Sequence, residues 1–182
     1  MREPILTERL RLRPFRPADL EAMHALWTDP EVGRWVGGTH SRLRESEEEL
    51  GAHLRHQARH GFGFWAAEER ATGDVVGEIG LQRFEGRGPE VEIGWALAAP
   101  ARGRGYATEA ASAWIDAGFE RLGLDRIIAV VLPGNVASRR ICERLGMREA
   151  GIRHAYGQDH VLYELTAASR TRPAAASSGS RR

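Results

Sequence analysis

A short loop of glycines and arginines carries residue types suited to binding an anion. Residues 102–108, here called the Gly-Arg loop, read RGRGYAT and follow the strand-like stretch VEIGWAL. Glycine lets a backbone approach a ligand closely and adopt left-handed angles. A helix is predicted to start in the loop, and the unpaired first amides of a helix attract phosphate. Arg102 and Arg104 add fixed positive charge in a fork that suits phosphate oxygens. The pattern therefore predicts a pyrophosphate site.

The loop by itself is weak evidence, because glycine pairs of this spacing usually form tight turns. A P-loop is excluded because it needs a lysine, and all 26 basic residues of the chain are arginine. A GxGxxG dinucleotide motif is excluded because Thr108 stands where the third glycine would be. The interpretation therefore depends on the elements around the loop.

Length and composition favour one globular domain without a nucleic-acid or membrane partner. The chain has 182 residues, 42% hydrophobic and 28% charged, with a formal net charge of +1. No stretch approaches the ~20 apolar residues of a membrane span and no apolar leader is present, so we expect a cytoplasmic protein. Cys142 stands alone, which excludes an internal disulfide. We expect no metal, since His53, His56 and His60 share a helical spacing but lie in a polar, arginine-rich stretch.

Hydrophobic periodicity predicts about six or seven strands and about four helices. Alternation predicts one strand over residues 5–13, and Asp29-Pro30 is expected to end the first helix. Residues 32–40 are expected to be irregular. Further strands are predicted at residues 64–69, 75–84, 91–98, 126–132, 147–156 and 160–166. Helices are predicted after Pro17, over residues 45–59, from the Gly-Arg loop to residue 122, and from residue 136 to 145.

The order of these elements predicts an α/β (mixed α+β) domain over residues 1–168. Most neighbouring strands are expected to be antiparallel, and the step around the Gly-Arg loop is expected to be a parallel βαβ unit. From residue 169 the composition changes to Arg, Ala, Ser, Gly and Pro. Residues 169–182 are therefore predicted to be a disordered tail.

Taken together, the motifs resemble the GNAT superfamily of acyl-CoA-dependent N-acetyltransferases. Its loop signature, Gln or Arg-x-x-Gly-x-Gly or Ala, fits Arg102, Gly105 and Ala107. The segments TERLRLRPFRPAD, EIGWAL and PGNVASRRICERLGMREAG are similar to the RimJ/RimL branch, which acetylates protein N-termini. The resemblance covers residues 5–166. It implies a GNAT-like central mixed, mostly antiparallel sheet flanked by helices.

The resemblance also implies acetyl-CoA as co-substrate. Its pyrophosphate would lie on the amides of the Gly-Arg loop, and its pantetheine arm would pair with the preceding strand where the sheet splays. The Leu97 amide would polarise the thioester oxygen, and Asn135 would contact the arm besides capping its helix. The implied acetyl-CoA-binding residues are Trp95, Ala96, Leu97, Arg102, Gly103, Arg104, Gly105, Tyr106, Ala107, Thr108, Asn135 and Ser138.

The implied reaction is direct attack of a neutral amine on the thioester in a ternary complex, which needs a proton acceptor. Family members often place an acid on this strand, so Glu92 is the first candidate, Asp159 the second and a water chain the third. Many GNAT enzymes use a tyrosine at the position of Cys142 to stabilise the thiolate. The RimJ/RimL branch instead has a serine three residues after the asparagine, which matches Ser138. An ion pair for Glu92, a turn role for Asp159 and a helix-start role for Ser138 are the structural alternatives.

The sequence leaves the acceptor open. The branch favours the N-terminal α-amino group of a protein, and such a group, with an ordinary pKa of ~7.7–8.0, loses its proton more readily than lysine. A small amine (polyamine, amino acid or antibiotic) and a non-catalytic acyl-CoA sensor are the alternatives. Trp35 and Tyr156 are expected to line the acceptor site, and Trp27, Trp65 and Trp114 to belong to the core. A homodimer is compatible with the resemblance, because dimers are common in the family.

Overall fold

A single mixed sheet organises the chain, with helices on both faces. The computed structural model describes Met1 and residues 3–170. The strands are β1 Ile5–Leu6, β2 Leu10–Arg13, β3 Phe64–Glu69, β4 Val75–Arg83, β5 Val91–Leu97, β6 Arg126–Val131, β7 Arg148–Ala155 and β8 Gln158–Thr166. The helices are α1 Leu20–Trp27, α2 Pro30–Val36, α3 Leu43–His60, α4 Tyr106–Arg121, α5 Val136–Arg144 and α6 Ala167–Arg170.

The strand order is β1-β2-β3-β4-β5-β6-β8-β7 among the described residues. Neighbouring strands are antiparallel except β5 and β6, which are parallel. This confirms the predicted mixed, mostly antiparallel sheet and its parallel step. The sheet has one strand more than the upper predicted number, because residues 5–13 form two strands. Thr7 causes the break: its hydroxyl accepts a hydrogen bond from the Leu10 amide at 2.9 Å and so closes a turn.

The prediction of an irregular segment over residues 32–40 was wrong for its first half, which belongs to α2. Asp29-Pro30 does not only end α1; it also begins α2. The Asp29 Oδ1 atom accepts a hydrogen bond from the Glu31 amide at 2.9 Å, and Pro30 occupies the first turn. Both features are typical of a helix start. Gly37, with φ of 93°, ends the helix in the left-handed region.

The two faces of β4 carry different side chains, apolar on one face and including Glu78 and Gln82 on the other. Ile79 and Leu81 pack against α4, where Trp114 is fully buried. Glu78 and Gln82 alternate with them and so point to the opposite face, on the side of α1 and α3. Trp27, Trp65 and Trp114 are buried, as expected for core residues.

Strands β5 and β6 pair only briefly. Their register contains one pair among the described residues, Glu92 with Ile128, although β5 continues to Leu97. Beyond Glu92 the edge of β5 that faces β6 therefore has no strand beside it. This divergence creates a gap in the middle of the sheet.

The C-terminal segment is anchored to α4. The Arg170 guanidinium donates to Asp116 at 2.9 Å and to Ser112 at 2.7 Å. The predicted domain boundary after residue 168 therefore lies inside α6, and residues 171–182 of the predicted tail lie outside the described residues. None of the described helices has the length and apolar character needed to cross a membrane.

Candidate active site

The Gly-Arg loop presents a row of backbone amides at the start of α4. Gly103 and Gly105 have φ of 73° and 82°, which side-chain-bearing residues rarely adopt. Gly105 is the N-cap of α4 and has no side chain to satisfy the first helical amides. Within the described chain no hydrogen bond uses the amides of residues 103–108. Such a row fits a pyrophosphate, because unpaired amides and the helix dipole both favour an anion there.

The arginine side chains of the loop are directed at carboxylates rather than forming the expected fork toward phosphate. Arg102 donates to the Leu97 carbonyl at 2.9 Å and to the Asp29 carboxylate. Arg104 donates to Glu69 at 2.6 Å. These bonds tie the loop to β5, to the start of α2 and to β3. An anion at the loop would therefore meet mainly backbone amides.

Two other arginines face the same region from α5. Arg140 and Arg144 lie one helical turn apart, are exposed, and line a cavity of about 530 Å³ next to the Gly-Arg loop. We call this the loop cavity. Sequence reasoning missed both residues, although their spacing of four places them on one helix face. The loop cavity is lined by Val32, Trp35, Trp95, Leu97, Arg102, Gly103, Gly105, Tyr106, Ala107, Thr108, Asn135, Ser138, Arg140 and Arg144, among others.

The backbone of β5 alternates between the neighbouring strand and the gap. The Ala98 amide donates to the Val76 carbonyl on β4 at 2.9 Å. Since successive amides point to opposite edges, the Ala96 amide also faces β4, while the amides of Trp95 and Leu97 face the gap. The backbone groups of Trp95 and Leu97 are thus open to an extended ligand in the gap. Ala96 can reach such a ligand only with its side chain.

The start of α5 lies across the gap from β5. The Asn135 Oδ1 atom accepts a hydrogen bond from the Ser138 amide at 3.1 Å, so Asn135 caps the helix. The Ser138 hydroxyl makes no hydrogen bond with any other described residue, so the structure gives it no local backbone bond. Both residues line the loop cavity. The hydroxyl is therefore available to a ligand in the gap.

A second cavity, of about 500 Å³, opens on the face of the sheet that carries Glu78 and Gln82. It is lined by Glu49, Glu78 and Glu92, and by no arginine of the described chain, although arginine is abundant. We call it the acidic cavity. Its negative lining favours a cationic ligand. The remaining lining includes Trp27, Trp35, His40, His53, Phe64, Gln82, Gly94, Trp95, Ala96, Asn135, Ser138, Tyr156, Gln158 and His160.

Glu92 combines burial with one accessible oxygen. The residue is 5% exposed, and its Oε1 atom accepts hydrogen bonds from Gln82 at 2.5 Å and from the Tyr156 hydroxyl. Burial raises the pKa of Glu92, the two hydrogen bonds lower it, and the net shift is upward. The Oε2 atom makes no hydrogen bond within the described residues while Glu92 lines the acidic cavity. Glu92 forms no ion pair with any described residue, and its free oxygen could accept a proton.

Asp159 and His160 show how strand alternation decides which side chain enters the cavity. The Asp159 side chain is 70% exposed and contacts His154 at 2.9 Å, away from the cavity lining. His160 is buried and lines the acidic cavity. Its Nδ1 atom lies 3.0 Å from the Gln158 carbonyl, which can only accept, so Nδ1 carries a hydrogen. His160 is thus a cavity-lining residue that the sequence did not single out.

The two cavities meet in the gap between β5 and β6. Six residues line both: Trp35, Val36, Trp95, Ala96, Asn135 and Ser138. Trp35 crosses the junction, since its ring would lie 3.7 Å from a β-carbon on Gly134. A group held in the loop cavity and a group held in the acidic cavity can therefore meet at this junction.

This geometry agrees with what comparison with known proteins shows. Residues 9–148 match the family model described as the acetyltransferase (GNAT) domain. The chain belongs to the GNAT family. It is 33% identical to the uncharacterized N-acetyltransferase YoaA of Bacillus subtilis, over 84% of this chain and 88% of the relative.

Solved structures of GNAT proteins superimpose over almost the whole chain. The acetyltransferase from Agrobacterium tumefaciens has a TM-score of 0.79 and 31% identity, covering 91% of this chain and 95% of its own. RimJ from Mycobacterium smegmatis, in complex with CoA-disulfide, has a TM-score of 0.74 and 25% identity, covering 93% and 92%. Family membership makes this chain an N-acetyltransferase, and GNAT enzymes use acetyl-CoA. The resemblance to RimJ is thereby confirmed.

Cys142 has no place in the chemistry of this GNAT site. It lies on the buried face of α5 and is fully buried, and burial raises the pKa of its thiol to about 12. Only the thiolate is nucleophilic, so Cys142 acts as a small apolar core residue. The described residues also contain no group of three or more His, Cys, Asp and Glu side chains that could hold a metal.

Proposed function

We propose that this protein transfers the acetyl group of acetyl-CoA to a primary amine that enters the acidic cavity. The observation that carries the proposal is the junction of two cavities at Ser138 and β5. One cavity suits a phosphate-bearing donor and the other a cationic acceptor. The amine and the thioester would meet in a ternary complex, where orientation replaces an encounter in solution.

In this mechanism Glu92 accepts the proton that the amine must lose. The amine nitrogen forms a bond to the thioester carbonyl carbon, and the carbon–sulfur bond breaks. The proton passes to Glu92 Oε2, directly or through water, while Gln82 and Tyr156 hold Oε1. The raised pKa of Glu92 supports this role, because a carboxylate with a higher pKa is a stronger base at neutral pH.

Two groups at the junction would stabilise charge on the donor. The Leu97 amide, which faces the gap, would donate to the thioester oxygen as negative charge develops. The Ser138 hydroxyl would donate to the sulfur that leaves as a thiolate. The other GNAT option, a tyrosine on α5, is absent here because Cys142 occupies that position.

The acceptor we place first is a small cationic amine. The sequence favoured a protein N-terminal α-amino group, and the similarity to RimJ supports that acceptor as the second candidate. The acidic cavity changes the order: it holds three glutamates and would attract a substrate with more than one positive charge. A peptide N-terminus carries one positive charge and needs only one glutamate beside it.

An acceptor panel tests the proposal. Thiol release from acetyl-CoA would be measured with aliphatic amines, amino sugars and short peptides that have a free N-terminus. We expect turnover with small cationic amines above the rate without acceptor. Turnover with peptides alone would transfer the assignment to the second candidate. Binding of acetyl-CoA without turnover for any amine would overturn the proposal.

A further inference from the structure

The acidic cavity contains a second group of carboxylates away from Glu92. His53 Nε2 lies 3.4 Å from Glu49 Oε1 and 3.4 Å from Glu78 Oε2. Glu49 and His53 are one turn apart on α3, and Glu78 reaches them from β4. Because one N–H group makes one strong hydrogen bond, at least one of these two carboxylate oxygens receives no hydrogen bond from His53.

The missing hydrogen-bond donor matters because Glu78 is buried. Glu78 is 9% exposed; its Oε1 accepts from the Trp27 indole at 3.0 Å, while its Oε2 receives no hydrogen bond from the described chain. A buried carboxylate oxygen without a donor costs free energy. Burial lowers the pKa of His53, but the two carboxylates outweigh it and leave the pKa raised. A protonated His53 carries one positive charge, which offsets only one of the two negative charges of Glu49 and Glu78.

Aromatic rings surround the same point. The rings of Trp27 and Phe64 lie 5.9 Å and 5.5 Å from that of His53, and all three residues line the acidic cavity. Carboxylates beside aromatic faces favour an organic cation over a metal ion, because ring faces attract ammonium groups. The surroundings thus indicate what kind of ligand would compensate Glu78.

The group lies at a distance from the proposed proton acceptor. Glu92 pairs directly with Gln82, four residues along β4 from Glu78, and both glutamates point to the same face. Their Cα atoms are therefore about 14 Å apart. Gly80 and Gly94 lie between them, and the Phe64 ring occupies the space that a side chain on Gly94 would need. Both glutamates line the same acidic cavity. An extended ligand could contact both ends.

We propose that Glu49 and Glu78 form a subsite for a second ammonium group of the acceptor, so that the substrate is a flexible diamine or longer polyamine. This inference rests on the proposed acetyl transfer. One amine would lie at the junction beside Glu92 and react, and the distal ammonium would bind beside His53. A monoamine would leave the subsite unused.

Steady-state kinetics with α,ω-diaminoalkanes, from diaminobutane to diaminododecane, and with the monoamine of each length would test the subsite. We expect KM at least about 10-fold lower for the best diamine than for its monoamine, as for a hydrogen bond to a charged group. The Glu78→Gln variant should lose that preference and leave KM for monoamines unchanged. Glu49→Gln should reduce it, and Glu47→Gln, which removes an exposed charge from the same helix, should not.

Calorimetric titration with diaminooctane separates failure of the subsite from failure of the proposed function. Weaker binding to Glu78→Gln than to Glu47→Gln supports the subsite even if no amine is acetylated. Equal KM values for diamines and monoamines, or equal diamine binding by both variants, overturn it. Acetylation confined to peptides with a basic second residue would overturn the assignment to small amines. A melting curve for each variant checks that it folds.

Discussion

Gln82 and Glu92 stand directly opposite each other on β4 and β5, and the Gln82 amide donates to Glu92 Oε1 at 2.5 Å. The pair fixes one oxygen of a buried carboxylate and directs the other into the acidic cavity. Tyr156 reaches the same Oε1 atom from the turn between β7 and β8. The environment of Glu92 is thus set by two consecutive strands and by a turn 64 residues further along the chain.

Replacing Glu92 tests whether it accepts the proton. Glu92→Gln should lower kcat/KM by roughly 100-fold or more, since Gln preserves shape but cannot act as a base. In the unaltered protein the rate should fall as pH drops through the raised pKa of Glu92, above the ordinary range of glutamate. This acidic limb should vanish in Glu92→Gln and persist in His160→Gln. The reverse result would make His160 the proton acceptor.

Tyr156→Phe should shift the acidic limb to higher pH. The Tyr156 hydroxyl stabilises the charged form of Glu92 and lowers its pKa, so losing it raises the pKa further. Glu92 then becomes deprotonated only at higher pH, and the plateau of kcat/KM above the limb should change little. His154→Gln, an exposed change on the same hairpin, is the control. A limb that moves down in pH would contradict the assignment.

Gly105→Val should weaken acetyl-CoA binding at least about 10-fold. Valine resists the φ of 82°, which costs about 1–2 kcal/mol for a side-chain-bearing residue, so the amides at the start of α4 lose their alignment. Gly73→Val is a matched control, because Gly73 also has φ of 82° and lies in open space at the β3–β4 turn. Calorimetry should show weakened acetyl-CoA binding for Gly105→Val and unchanged binding for Gly73→Val. Equal binding by the two variants would place the phosphates elsewhere.

Ser138 and Asn135 share one capping bond but should behave differently when altered. Ser138→Ala keeps its backbone amide and hence the bond to Asn135, so α5 should stay intact. Loss of the Ser138 hydroxyl should lower kcat by roughly 100-fold with little change in KM for acetyl-CoA. Asn135→Ala should lose about 1 kcal/mol of stability through the missing cap and raise KM for acetyl-CoA. Unchanged kcat in Ser138→Ala would exclude its role at the thiolate.

Local features could be predicted where short-range physics decides them. A helix start was predicted in the Gly-Arg loop because glycine adopts the angles of such a loop freely, and another at Asn135 because its side chain caps the next turn. Two local features were missed. Thr7 closes a turn with its hydroxyl inside a stretch that alternates like one strand. Asp29-Pro30 was interpreted only as the end of α1, although the same pair also begins α2.

The sequence by itself determined the family, the mixed sheet and the amide-bearing loop, because spacing, glycine angles and capping act over a few residues. Only the tertiary structure decided which charges face one another. Register placed Gln82 against Glu92, strand alternation turned His160 inward and Asp159 outward, and the approach of α3 brought His53 between Glu49 and Glu78. Such contacts join residues far apart in the chain, and the burial that raises the pKa of Glu92 exists only once the layers have packed.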